Sequence, residues 1–267
     1  MSDAALSHFG AEYARHRESE GRDYSGDDLL ALPYLRNGPL AHQWAVRARS
    51  FEAFLGRVVG PETARLGRPL TILDLGAGNG WLSYRLALLG HRTVALDIRA
   101  DSVDGLGAAE ALVQRASAKM ECVRASFDAI PIEPDSVDIA LFNASLHYST
   151  DLEHTLGQAV QTVRRGGKVV VLDSPFYRRE RDGLAMVTEK KAQADLQFGQ
   201  RADALLALPF VEFLTRERLN AASAELNLRW RRRRVRYPLW YELRPIRAAL
   251  LRQRAPSRFD LWIGERQ

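Results

Sequence analysis

The chain has 267 residues, 46% of them hydrophobic and 27% charged, with one cysteine and a net charge of +5. That length buries a sizeable core, as one large domain or as a domain with an appended lobe, and the composition excludes a disordered or fibrous chain. One cysteine excludes an internal disulfide and a thiolate metal cluster, and without an 18-residue apolar run or an apolar leader the sequence predicts a cytoplasmic globular protein.

Residues 1–68 read as an N-terminal helical cap. Helical pieces break at EGRDYSGDD, LPYL and RNGPL, and HQWAVRARSFEAFLGRVV puts Trp44, Val46, Phe51, Phe54, Leu55 and Val58 near helical spacing, as in a helix packed on a sheet edge. GPETARLGRP then reads as a linker.

Residues 69–267 change pattern to short apolar runs alternating with helical segments, which predicts a doubly wound α/β domain. Strands are expected at LTILDLG, RTVALDI, KMECVRA, SVDIALFN and GKVVVLDS, with Cys122 of the third filling the core. Helices fit at Trp81–Leu89, Ser102–Ala118 and Asp151–Val163, the last stopped by Gly166 and Gly167. Helices at Leu184–Leu196 and Arg216–Leu226 follow, separated by a break at LPFVEFLT. LNLRWRRRRVRY is strand-like, and FDLWIGE can pair antiparallel with it; between them a basic, helix-containing insertion occupies about 237–256. Seven strands result, mostly parallel, with one antiparallel.

Gly76, Gly78 and Gly80 follow the first strand and open a helix, so the chain turns sharply and bare backbone approaches a ligand. The spacing is G-x-G-x-G and the next residue is Trp81, which disfavours a dinucleotide pyrophosphate. No Lys-Ser/Thr pair follows, which disfavours a P-loop. Asp97 ends the second strand, where an acid can accept from both ribose hydroxyls, and Asp74 supplies a second negative charge. Two acids without a basic residue in the loop favour a ligand with a ribose and a positive charge, as in S-adenosylmethionine.

On LDLGAGNG, Asp97, NASLHYS and RRGGKVVVLDS, in that order, the chain from about Leu70 to Ser174 resembles the class I S-adenosylmethionine-dependent methyltransferases. The resemblance is strongest to the type 11 group that includes the ubiquinone and menaquinone biosynthesis C-methyltransferases. It implies a Rossmann-like sheet and S-adenosylmethionine as cofactor, with S-adenosylhomocysteine as product. Gly76, Ala77, Gly78, Asn79 and Gly80 would approach the methionine and ribose portions, Asp74 would orient the amino group, and Asp97, beside Ile98, would hold the ribose. Where the family places an aspartate for the adenine amino group, ASFDAIP has Ser126 followed by Phe127, so Ser126, or else Asp128, is the expected acceptor while Phe127 covers the ring.

Asn143, His147 and Tyr148 follow the fourth strand at the sheet's carboxyl edge and are expected to face the cleft. His147 and Tyr148 are the candidate catalytic residues, His147 as a base if the methyl acceptor bears a proton. His8, His16, His42, His91 and His154 have weaker claims, and none shows ligand spacing with acids or Cys122, so no metal is expected. Substrate selection falls to the cap and to Pro175–Leu214, with Tyr13, Tyr24, Tyr34, Trp44, Phe176 and Tyr177 as a candidate aromatic wall.

The basic residues are uneven. Arg229–Arg258 holds eleven arginines against one acid, Glu242, which leaves the rest of the chain net negative. This segment could grip RNA, lie on anionic lipid or an acidic partner, or form solvated faces and ion pairs with the acidic body, the last being preferred. The resemblance therefore implies methyl transfer to oxygen or carbon of a small molecule. A non-catalytic S-adenosylmethionine-binding regulatory protein is the alternative, and an RNA methyltransferase a lesser one; nucleic acid is not an expected partner.

Overall fold

The computed structural model describes residues 3–22, 24, 26–117, 119–198, 206 and 208–267. The side chains of His8 and Phe9, Ala118 at the end of an expected helix, and residues 199–205 and 207 of the expected substrate-selecting stretch lie outside what is described.

Four helices precede the sheet: α1 (Asp3–Ser19), α2 (Gly26–Ala31), α3 (Ala41–Phe54) and α4 (Gly60–Leu66). α2 begins at Gly26, inside the expected break EGRDYSGDD, and α4 replaces the expected linker. Pro61 inside a helix would clash with the turn before it, and a wider turn at Leu55–Val59 relieves this. There the Gly60 N–H donates five residues back, to the Leu55 carbonyl, and Gly67 in the left-handed region ends α4.

The sheet contains β1 (Thr71–Leu75), β2 (Arg92–Asp97), β3 (Met120–Arg124), β4 (Val137–Asn143), β5 (Val163–Leu172), β6 (Leu228–Arg233) and β7 (Leu261–Arg266). Their order is β3-β2-β1-β4-β5-β7-β6, and β7 alone runs antiparallel to its neighbours. Strand order reverses between β1 and β4, which opens a crevice at their carboxyl ends.

Alternate residues of each central strand feed two cores, because helices cover both faces. Ile72, Ile139, Leu141 and Val170 pack with α3, with α5 (Trp81–Leu88) and with α6 (Leu106–Arg115). Leu73, Ala140, Phe142 and Val171 pack with α7 (Leu152–Thr162) and α9 (Arg216–Ala222). α3 thus lies on a sheet face and not on an edge: Trp44 and Phe51 each meet the ring of Trp81 edge-on, at 5.6 and 5.7 Å. Phe54 on the same helix is fully buried, and truncating such a ring costs about 3–5 kcal/mol.

β5 begins at Val163, inside the expected helix, because Val163 pairs with Val137 and is buried. The glycines after it absorb a register shift instead of stopping a helix; a Cβ at Gly167 would stand 2.7 Å from the Asp138 carbonyl. Cys122 is exposed on the outermost strand and does not fill the core. α8 (Glu180–Phe198) follows β5, and α10 (Leu239–Glu242) and α11 (Arg244–Leu250) lie between β6 and β7. Among the described residues no helix is long and apolar enough to cross a membrane.

Candidate functional site

β1 is an apolar strand buried on both faces, so the chain leaves it only at Gly76, where the N–H groups of Gly76 and Ala77 both donate to the Leu96 carbonyl, at 2.8 and 3.0 Å. This draws the loop across the end of β2. Gly76 has φ of 74°, and a Cβ there would lie 2.5 Å from the Cβ of Ser145 on the segment after β4. Glycine is therefore required on two counts, backbone handedness and close approach.

The loop borders a cavity of about 650 Å³ at the crevice between β1 and β4. Asp97 enters it from the end of β2. Its Oδ2 accepts from Gly78 N and its Oδ1 from Arg99 N, both at 2.8 Å. Each carboxylate oxygen retains a lone pair for a further donor. Burial raises its pKa, and those two backbone bonds oppose the rise.

Behind Asp97 the segment 98–105 is organised by Asp101, which accepts from the N–H groups of Val103 and Asp104 and pairs with Arg99 at 2.8 Å. It presents Asp104, which accepts from Asn79 Nδ2 at 3.1 Å and faces Arg17 at 3.6 Å.

The opposite wall comes from the preceding helices. α1 contributes Tyr13 and Arg17, α3 contributes Trp44 and Arg47, and Arg22 lies between them. Arg22 is paired with Glu20 at 3.0 Å. The Arg47 guanidinium has neither a hydrogen bond nor an ion pair among the described residues; it stacks at 5.2 Å over Trp44, and burial lowers its pKa. The cavity therefore has mixed charge, where loop and acids alone suggested a negative one. Tyr148 and Phe210 close the side, with their rings edge-on at 5.4 Å.

Of the residues singled out from sequence, Gly76, Ala77, Gly78, Asn79, Asp97 and Ile98 meet at this cavity, as do Ser126, Phe127, Asn143 and Tyr148. Ser126 Oγ accepts from Asp128 N at 3.1 Å, and Asp128 itself accepts from Thr155. The Asn143 Oδ1 is buried with no hydrogen-bond partner among the described residues.

Three expected residues stand outside the lining. Asp74 is 1% exposed behind the loop, where its Oδ2 accepts from Ser83 Oγ at 2.9 Å; burial raises its carboxyl to about 7. Gly80 faces inward, and a Cβ on it would lie 2.6 Å from Met120 Cε. His147 packs beside Tyr148 at 4.3 Å with its Nδ1 buried and unpartnered among the described residues, and burial lowers its pKa to about 3. Its carbonyl accepts from Glu212 N, which ties its segment to the stretch after α8.

Of the candidate aromatic wall, Tyr13 and Trp44 reach the cavity. Tyr24 lies behind Trp44 and accepts from its indole N–H at 2.5 Å, Tyr34 is exposed, Phe176 stacks on Trp262, and Tyr177 meets Phe213. Sequence reasoning missed Arg17, Arg47 and Asp104; a trace of the signal exists for Arg47, one helical turn after Trp44. Among the described residues no three His, Cys, Asp or Glu side chains are grouped to hold a metal.

Residues 73–171 match the methyltransferase domain family. The chain is similar to malonyl-[acyl-carrier protein] O-methyltransferase of Yersinia pestis, at 28% identity over 57% of this chain and 55% of that protein. It is also similar to the ubiquinone/menaquinone biosynthesis C-methyltransferase UbiE of Rhizobium rhizogenes, at 29% identity over 38% of this chain and 40% of that one. The chain thus spans about half the length of these curated relatives. Among solved structures, geranyl diphosphate C-methyltransferase of Streptomyces coelicolor superposes with a TM-score of 0.58 at 14% identity, covering 97% of this chain and 98% of that one. A geranyl diphosphate methyltransferase solved with GPP and sinefungin gives 0.62 at 16% identity, over 93% and 86% of the two chains. Residues 73–171 thus carry a methyltransferase domain, and the seven-stranded order gives the chain the fold of these solved methyltransferases.

Proposed function

We propose that the chain transfers a methyl group from S-adenosylmethionine to an oxygen or carbon atom of a small molecule, in the cytoplasm, and releases S-adenosylhomocysteine. The carrying observation is Asp97, a carboxylate fixed by two backbone N–H groups at the rim of a bare glycine loop, with lone pairs left for a ribose diol. Two further features fit this cofactor. Arg47 is a cation in the cavity wall with no ion-pair partner among the described residues, suited to a carboxylate, and Asn143 Oδ1 is a buried acceptor suited to an ammonium. Phe127 and Ser126 would border the adenine. Two similar proteins are, by their names, a malonyl-[acyl-carrier protein] O-methyltransferase and a ubiquinone/menaquinone biosynthesis C-methyltransferase, which supports transfer to oxygen or carbon.

When bound, the cofactor supplies an electrophilic methyl group on a sulfonium. The protein's part is to align donor and acceptor and to exclude water, since such a displacement gains mainly from orientation. Residues 1–68 would form the cap that does so, with Tyr13, Trp44 and Arg47 over the cavity mouth. Tyr148, whose hydroxyl bonds that of Tyr13 at 2.9 Å, is placed to orient an acceptor oxygen. His147 is a poor base here, being outside the lining and neutral down to about pH 3.

Calorimetric titration with S-adenosylmethionine and S-adenosylhomocysteine tests this. Micromolar binding of both, lost in Asp97→Ala, is expected; absence of binding by the folded protein would sink it. Binding without product from any acceptor would favour the non-catalytic alternative.

A further inference from the structure

We propose that the two short helices between β6 and β7 seat the protein on a bilayer surface carrying anionic lipids. Half of the large apolar side chains that the described surface exposes lie here: Leu239, Trp240, Leu243, Ile246, Leu250 and Leu251, each between 45% and 80% exposed. They recur at helical spacing along α10 and α11, so they form one outward stripe. The inner side of the same helices is anchored by Tyr241 and Ala248, 2% and 8% exposed, and Arg244 stacks over Tyr241 at 3.6 Å. The stripe is therefore held outward, and apart from the edge contact of Trp240 with His42 its aliphatic side chains stay more than half exposed, an arrangement that in a water-facing surface favours association.

Charge decides what covers it. Six of the eleven arginines in 229–258 are occupied: Arg231 by Glu265, Arg232 and Arg258 by Asp260, Arg234 by Glu242, Arg254 by Glu189, and Arg244 by the Ser257 carbonyl and Tyr241. The side chains of Arg229, Arg233, Arg236, Arg247 and Arg252 are exposed, with neither a hydrogen bond nor an ion pair among the described residues. The segment's one acid, Glu242, is already shared by Arg234 and Arg258. An aliphatic stripe with one tryptophan, bordered by free guanidiniums, is complementary to a layer with an acyl interior and anionic headgroups. A second copy of the chain would set these arginines against each other, so charge opposes self-association through this face.

The stripe adjoins the candidate site through α3. Trp240 packs edge-on against His42 at 5.5 Å, and the same helix carries Trp44 and Arg47 into the cavity wall. Membrane seating would place that helix beside the headgroup layer, within reach of an acceptor held there.

The test is co-sedimentation of the full chain with vesicles of phosphatidylcholine alone and with vesicles containing about a third phosphatidylglycerol, at low and high salt. Binding to the anionic vesicles at least about tenfold above the neutral ones, weakened by salt, is expected. Ile246→Asp with Leu250→Asp should abolish it, and Arg236→Glu with Arg247→Glu and Arg252→Glu should weaken it by about tenfold or more. All five positions are exposed, and cofactor titration of both variants, expected unchanged, checks that the fold is intact. No vesicle binding by the wild-type chain would overturn the proposal. So would binding that needs the arginines but not the apolar residues, which points to an acidic polymer, or a dimer in solution that Ile246→Asp with Leu250→Asp dissociates.

Discussion

The hydroxyl of Tyr13 lies 2.9 Å from that of Tyr148, and their rings meet edge-on at 5.8 Å, although 135 residues separate them in the chain. The contact fastens α1 to the segment after β4 across the mouth of the cavity. Tyr13→Phe removes the bond to Tyr148 and the one that Tyr13 accepts from Arg17, at about 1 kcal/mol each, and leaves the edge contact in place. Tyr13→Ala removes the edge contact as well, so amide exchange along α1 should accelerate and cofactor affinity fall more than in the phenylalanine variant. Equal exchange in wild type and alanine variant would mean that α1 is held by other contacts.

Arg47→Ala separates two ends of the proposed cofactor. Binding of S-adenosylhomocysteine should weaken about 10- to 100-fold, the scale of one charge-assisted contact, while 5′-methylthioadenosine, which has no carboxylate, should bind as before. A parallel loss for both ligands would place the effect in the fold and not in a carboxylate contact.

Asp74 makes a statement about pH. Its folded-state carboxyl is raised from 3.8 to about 7 by burial, so on raising the pH the unfolded chain ionises first. Stability then falls as pH rises from about 4 to about 7, by at most ~1.4 kcal/mol per unit, and levels off above. Asp74→Asn has no such slope. Urea unfolding at pH 5 and pH 8 should show the variant gaining on the wild type by about 2 kcal/mol or more over that interval; parallel curves would contradict the buried, protonated acid.

For His147 the sign is reversed. Burial lowers its imidazole from 6.5 to about 3, so the neutral form's contribution is complete above about pH 6.5 and is lost as pH falls toward 3, because the unfolded chain takes the proton first. His147→Asn should therefore flatten the acid side of the stability curve. If the chain transfers methyl as proposed, turnover of the variant should stay within about threefold of wild type. A loss of two orders of magnitude would restore His147 as a base.

Every strand was legible: the first five are short runs rich in apolar residues, FDLWIGE alternates as a half-covered antiparallel strand should, and the arginine-rich LNLRWRRRRVRY was legible as its partner. The loop and Asp97 were legible because glycine spacing and an acid at a strand end are local signals. Arg17, Arg47 and Asp104 were not: the first two reach the cavity only because α1 and α3 fold back over the crevice, a long-range relation that no spacing encodes. α4 was hidden by Pro61, which a wide turn accommodates, and Cys122 by an apolar run that lies at the sheet's margin. The His147 carbonyl is bonded by the N–H of Glu212, a contact that no spacing encodes because the chain brings Glu212 back only after α8.

Arg233 and Leu261 are cross-strand partners, so the chain departs from the sheet and rejoins it at a single point. Material of any length can be threaded through that point without displacing a strand. Tyr237, bonded to Ser50 at 2.8 Å, then pins the inserted material to α3. Descendants of a common ancestor need share nothing there while sharing the whole glycine loop, and a graft of residues 234–260 with its docking position on α3 should carry its surface preference to another chain of this fold.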